Sequence, residues 1–218
     1  MQSNRYNVFN NIHKGLRGML FTVQQEVQQT DFNSTEAVPV IANLELALRY
    51  FDEHAEHEDN FVLNEIVKFE PHIAEELEAE HVTDHQLGET LREYIQAWKN
   101  AADKTEAGRQ IFYAFNDFIA FNLYHMNKEE TVLLQLLWKH FTDEEIIGME
   151  QRILQTIAPE VLVAESRWML RSLSIPEIIE WYMGMKHGAP AEVFMMFKGL
   201  AAEELPEIKM QQLETALA

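Results

Sequence analysis

The sequence predicts an all-α protein: an up-down-up-down four-helix bundle with a C-terminal helical extension. Two observations carry this. Glycine and proline are scarce, 8 and 6 in 218 residues, and most apolar residues recur at steps of three and four. The few breakers and capping residues fall between those apolar runs, where helices should end. On this reading residues 1–140 form the bundle. Residues 141–218 form shorter helices that pack on it or make an oligomer contact.

The first helix carries its apolar stripe on Tyr6, Phe9, His13, Leu16, Leu20, Val23 and Val27. "TDFNSTEAVP" then offers Asn33, Ser34 or Thr35 as an N-cap, with Pro39 early in the second helix. That helix reads Ile41, Leu44, Leu48, Phe51, His54, Glu58, Phe61 and breaks at Pro71 in "FEPH". The third runs Leu77, His81, His85, Gly88, Leu91 or Ile95, then Trp98, and the chain restarts near Thr105. The fourth gives Ile111, Phe115, Phe118, Asn122 or Phe121, His125, Glu129, Val132, Leu136. "HFTDEE" spells a capping box on Thr142 and Glu145. Pro176 and Pro190 fall in the first turns of two later helices.

Composition narrows the functions. A formal net charge of −19 argues against nucleic acid, whose phosphates call for Lys and Arg, and against anionic membrane surfaces. No apolar run approaches the ~20 residues of a spanning helix, and the N-terminus lacks an apolar signal core, so the expected location is cytoplasmic. With no cysteine, disulfides and thiolate metal sites are excluded. Any metal must be held by His, Asp and Glu.

Each long helix interrupts its apolar stripe with ionisable residues, and does so in one place. His54 with Glu58, His81 with His85, and His125 with Glu129 stand at i, i+4, about 6 Å apart on one helix face. Counting along antiparallel helices, the interruptions lie roughly 13 to 23 residues from the intervening turns, nearly one height in the bundle. An unpaired buried charge is costly, so these groups should meet one another. His13, His54, Glu58, His81, His85, His125 and Glu129 are therefore the candidate metal ligands. Seven exceed what one ion takes, and two metals sharing carboxylates is the economical reading. Imidazole with a few carboxylates suits Fe, Zn, Cu or Ni rather than Mg or Ca. A ferritin-like site would need a second Glu-x-x-His beside Glu78-x-x-His81, and there is none. His72, His140 and His187 lie off the pattern, and His57 is rotated off the core stripe.

His13, His54-xxx-Glu58, His81-xxx-His85 and His125-xxx-Glu129 resemble the ligand set of the hemerythrin-like (HHE cation-binding) family over roughly residues 5–140. "NIHKGLRGML" is similar to its opening segment and "NLYHMNKEETVLLQLLWKHFTDEEI" to its fourth helix and following turn. The resemblance implies two Fe ions in a carboxylate-bridged, non-haem di-iron centre with an oxo or hydroxo bridge, although other transition metals suit the same donors. It implies His81, His85 and His125 on one iron, His13 and His54 on the other, and Glu58 and Glu129 between them. An open position would then receive O2, NO or peroxide. Oxygen-carrying hemerythrins have His-xxxx-Asp on the last helix where this chain has His125-xxx-Glu129, which turns the expectation from a pure carrier.

The function expected is a di-iron protein that binds or senses O2, a related oxidant or iron. The alternatives are a redox enzyme acting on peroxide or NO, and a structural bundle holding zinc. Phe118 and Phe121 can line an apolar pocket or simply fill the core, and Arg17 can pair with a carboxylate at the core edge. The Met- and aromatic-rich "EWYMGMKHGAPAEVFMMFKGLAAEEL" is expected to pack on the bundle or to build a homodimer.

Overall fold

The structure, a computed structural model, describes residues 5–218. Among them every regular element is helical: four long helices and then five shorter ones. The long ones are α1 (Asn10–Gln29), α2 (Ala37–Glu58), α3 (Pro71–Asn100) and α4 (Thr105–Lys128). Both α2 and α4 run on without a break through a π-helical turn, Asp59–Leu63 and Glu129–Leu133, into short α segments, Asn64–Ile66 and Leu134–His140. The shorter helices are α5 (Asp143–Leu154), α6 (Pro159–Ser172), α7 (Ile175–Gly188), α8 (Ala191–Glu204) and α9 (Glu207–Leu217).

The punctuation sits close to where the sequence puts it. Pro71 is the first residue of α3, where its missing N–H costs nothing. Thr105 opens α4. Thr142 caps α5 in a full capping box with Glu145. The start of α2 differs: Glu36 is the cap, because Ser34 is used in a preceding turn in which its hydroxyl accepts from the Glu36 N–H. Pro190 is the cap of α8 rather than a first-turn residue, its ψ of 143° keeping it extended.

The chain forms two compact units. The first unit holds the described residues up to Phe9 and Met19–Gln155; the second holds Asn10–Gly18 and Thr156–Ala218. α5 therefore belongs to the first unit. Its Ile146 and Met149 share a core with Val8, Phe9, Leu63, Ile66, Leu77, Leu133 and Leu137. Tyr6 and Arg5 hold the same region: the Trp138 indole donates to the Tyr6 carbonyl at 2.7 Å, and Arg5 pairs with Asp143 at 2.7 Å.

Within the first unit α3 packs along α4 and against α2. As α3 advances, its partners on α4 recede: the His81 ring faces His125, Asp84 meets Asn122, and Gly88 lies against Phe118. That order defines an antiparallel pair. The same holds between α2 and α3, where Glu58 lies by His81 and Asp52 by Arg92. The interior stripe of α3 is Leu77, His81, Asp84, Gly88, Leu91, Ile95 and Trp98, all buried, at strictly alternating steps of four and three.

The second unit has its own core. Leu170, Ile178, Tyr182, Ala201 and Leu213 are fully enclosed, and the Tyr182 hydroxyl donates to the Phe197 carbonyl at 2.8 Å. Gly15 approaches α6 so closely that an added Cβ would lie 3.1 Å from the Met169 backbone nitrogen. Arg167 and Arg171 on α6 pair with Glu203 and Glu204 on α8.

Candidate metal centre

The centre grows from two copies of one local design. Helical spacing puts His54 and Glu58 on one face of α2, with Nε2 to Oε1 at 3.3 Å, and His125 and Glu129 on one face of α4, at 3.1 Å. In both copies the glutamate stands at the junction of α and π backbone: Glu58 is the last residue before one π turn and Glu129 the first of the other. Such turns widen the helix at some energetic cost and are concentrated at functional sites. α3 then brings His81 between the two carboxylates, 3.4 Å from Glu58 and 3.8 Å from Glu129.

Glu58, His81, His125 and Glu129 are all buried, and one ligand atom from each lies within 4.8 Å of the others. One ligand atom each of His54, Glu58 and Glu129 satisfies the same limit. The two carboxylates are thus common to both groups. The rings of His81 and His125 meet edge to face with centroids 4.8 Å apart.

The outer nitrogens of these rings are fixed by further carboxylates. His81 Nδ1–H donates to Asp59 at 2.6 Å, and His125 Nδ1–H donates to Glu80 at 2.7 Å. Each His is therefore held by a carboxylate from the preceding helical segment, which sets its tautomer and turns Nε2 inward. The buried His81 Nε2 and His125 Nε2 atoms have no hydrogen-bond partner. A pair of inward imidazole nitrogens beside two buried carboxylates is the donor set a first-row transition metal takes, and the residues fit such an ion.

The electrostatics agree. Burial pushes the His81 imidazole down, yet its hydrogen bond to Asp59 and the nearby Glu129 and Glu58 carboxylates outweigh this and hold it up at about 12. His125 is likewise lowered by burial but raised overall, by Glu129 first and then by Glu58 and Glu80. A cation held between these carboxylates would meet the same negative charge and take neutral imidazole as its ligand.

The structure brings together His54, Glu58, His81, His125 and Glu129. His13 is fully buried on the Asn10–Gly18 portion of α1, which belongs to the second unit. His85 lies apart from this group. Its side chain is 63% exposed and its ring faces Asp52 at 3.5 Å, outside the group. The reason is helical phase. From His81 the interior stripe continues by three residues to Asp84, which is 3% exposed and bonded by Asn122 at 2.5 Å, so the fourth residue turns outward. His57 is half-buried with its imidazole lowered by burial, His140 pairs with Glu70 at 2.8 Å, and His72 and His187 are exposed. Phe118 is core against Phe51, whereas the Phe121 ring stacks on His125 with centroids 6.0 Å apart.

The sequence singles out no role for Asp59, Glu80 or Asp84, and offers Asn122 only as an alternative on the stripe of the fourth helix. A faint signal exists for the first two: Asp59 follows Glu58 and Glu80 precedes His81. One residue of helical rotation carries each toward a neighbouring helix, but which histidine it reaches depends on packing.

No helix among the described residues is long and apolar enough to cross a membrane. No curated protein and no solved structure gives a significant match to the chain. The family model of the hemerythrin HHE cation binding domain matches residues 4–137, which include all the clustered His and Glu residues described above. With that match over more than half its length, the chain belongs to the hemerythrin HHE cation-binding family.

Proposed function

We propose that the four long helices form an up-down-up-down bundle holding a non-haem di-iron centre, and that the protein binds or senses O2 or a related small oxidant. His81 and His125 would hold one iron and His13 and His54 the other, with Glu58 and Glu129 common to both. His85 is left out, which makes the two halves alike: one lone histidine and one His-xxx-Glu pair each. The observation that carries it is the convergence of His81 Nε2 and His125 Nε2 on the buried Glu58 and Glu129 carboxylates. Both glutamates also belong to the group that contains His54. Once bound, two irons supply a redox-active pair that exchanges electrons with a small oxidant.

The chain's own residues hold and shield that pair. Asp59 and Glu80 orient the imidazoles, Phe121 covers the His125 ring, and the burial of Glu58 and Glu129 keeps water from both carboxylates.

The test is anaerobic Fe(II) loading followed by admission and removal of air. Two irons per chain with visible bands that appear in air and reverse support O2 binding. Bands that form once and persist favour a redox enzyme or a one-way sensor. Uptake of zinc alone, with no coloured iron form, would overturn the proposal.

A further inference from the structure

The two histidines assigned to one iron are backed by unlike carboxylates. Asp59, behind His81, is 41% exposed, and no Lys or Arg among the described residues lies within ion-pair distance of it. Glu80, behind His125, is 27% exposed and shares its second oxygen with Lys128 Nζ at 2.5 Å. Lys128 also reaches Glu76 at 2.6 Å, and its own side chain is only 22% exposed. The result is a continuous chain from Lys128 through Glu80 to the ring of His125, with no counterpart at His81.

We propose that Lys128 is a positioning and charge-setting residue for the metal centre: by pairing with Glu80 it limits the negative charge passed to His125 and so raises the reduction potential of the iron that His125 holds. This rests on the di-iron reading. A carboxylate behind a ligating imidazole makes it a stronger donor, which favours the more highly charged metal. A cation on the far oxygen of that carboxylate withdraws part of the effect, and the low exposure of both groups limits screening by solvent and salt.

The test is redox titration of the iron-loaded full chain with mediators, each Fe(III) taking one electron from the mediator to become Fe(II). For Lys128→Met the expected shift favours the ferric form about tenfold, the scale of one unit charge acting through an effective dielectric constant near 20. That equals a fall of about 59 mV for a one-electron couple. Lys128→Arg is expected to hold the wild-type potential. Glu80→Gln is expected to move it the other way, and Glu76→Gln to leave it within about threefold. Iron uptake with the same potential in wild type and Lys128→Met would overturn the inference alone. So would an equal shift in Lys128→Arg, which would point to packing rather than charge. A wild-type chain that takes up no iron would overturn the di-iron reading and this inference with it.

Discussion

Replacing His85 and His81 separately divides the site the structure describes from the one the spacing suggests. His85→Ala removes a ring that is 63% exposed and pairs with Asp52 across 3.5 Å, while Asp52 keeps its bond to Arg92. Exposed pairs of this kind contribute about 0 to 1 kcal/mol, so stability should change by less than about 1 kcal/mol. Metal stoichiometry and affinity should not change. His81→Ala removes a ring that is 6% exposed, bonded to Asp59 at 2.6 Å and flanked by Glu58 and Glu129. Taking away one partner of such a buried group costs about 3–5 kcal/mol. That is a large share of the roughly 5–15 kcal/mol that holds a domain together. The apo variant should therefore unfold at much lower denaturant, and metal affinity should fall by more than the ~100-fold upper end for losing an outer partner. Guanidinium unfolding of both apo proteins and chelator competition on the loaded ones give the numbers. His81→Asn guards against simple failure to fold. Loss of one metal equivalent in His85→Ala would refute the reasoning.

Three further outcomes follow from particular contacts. Gly108→Ala should cost about 1–3 kcal/mol in denaturant unfolding, because the new Cβ would lie 2.3 Å from Phe32 Cγ, at the root of the ring rather than its tip. Thr142→Ala breaks the capping box with Glu145 and should cost about 1 kcal/mol, mostly restored by Thr142→Ser. Glu177 is raised by burial but held down overall, to about 2, by bonds from Lys14, Ser174 and Asn10. Its folded pKa is below its unfolded one, so its contribution is complete above the ordinary carboxylate pKa near 4.5 and is lost as pH falls toward 2. Glu177→Gln should accordingly be less stable than wild type at pH 7, and acid titration should bring the two together by about pH 2.

What the sequence made legible was whatever depends on local rules. Pro71, Thr105 and the Thr142 capping box mark helix starts because caps and prolines act on the backbone beside them. His54, Glu58, His125 and Glu129 were legible because i, i+4 spacing fixes a shared face before any packing is known. For His85 the same spacing does not settle the placement. The pair His81-xxx-His85 obeys that spacing, but the stripe of α3 turns at Asp84, and only contact with Asn122 on α4 decides which phase is interior. Asp59 and Glu80 were invisible because each acts on a histidine of another helix. The two π turns carry no proline or glycine to announce them in "DNFVL" or "EETVL". The extension was legible only as helices: Tyr182 and Leu213 are ordinary core types whose partners are set by packing.

Anomalous diffraction from crystals of the iron-loaded chain, collected at the iron edge, would locate the metals. Two peaks per chain are expected, both beside Glu58 and Glu129, one held by His81 and His125 and the other by His13 and His54. A single peak, or a peak ligated by His85, would contradict this assignment.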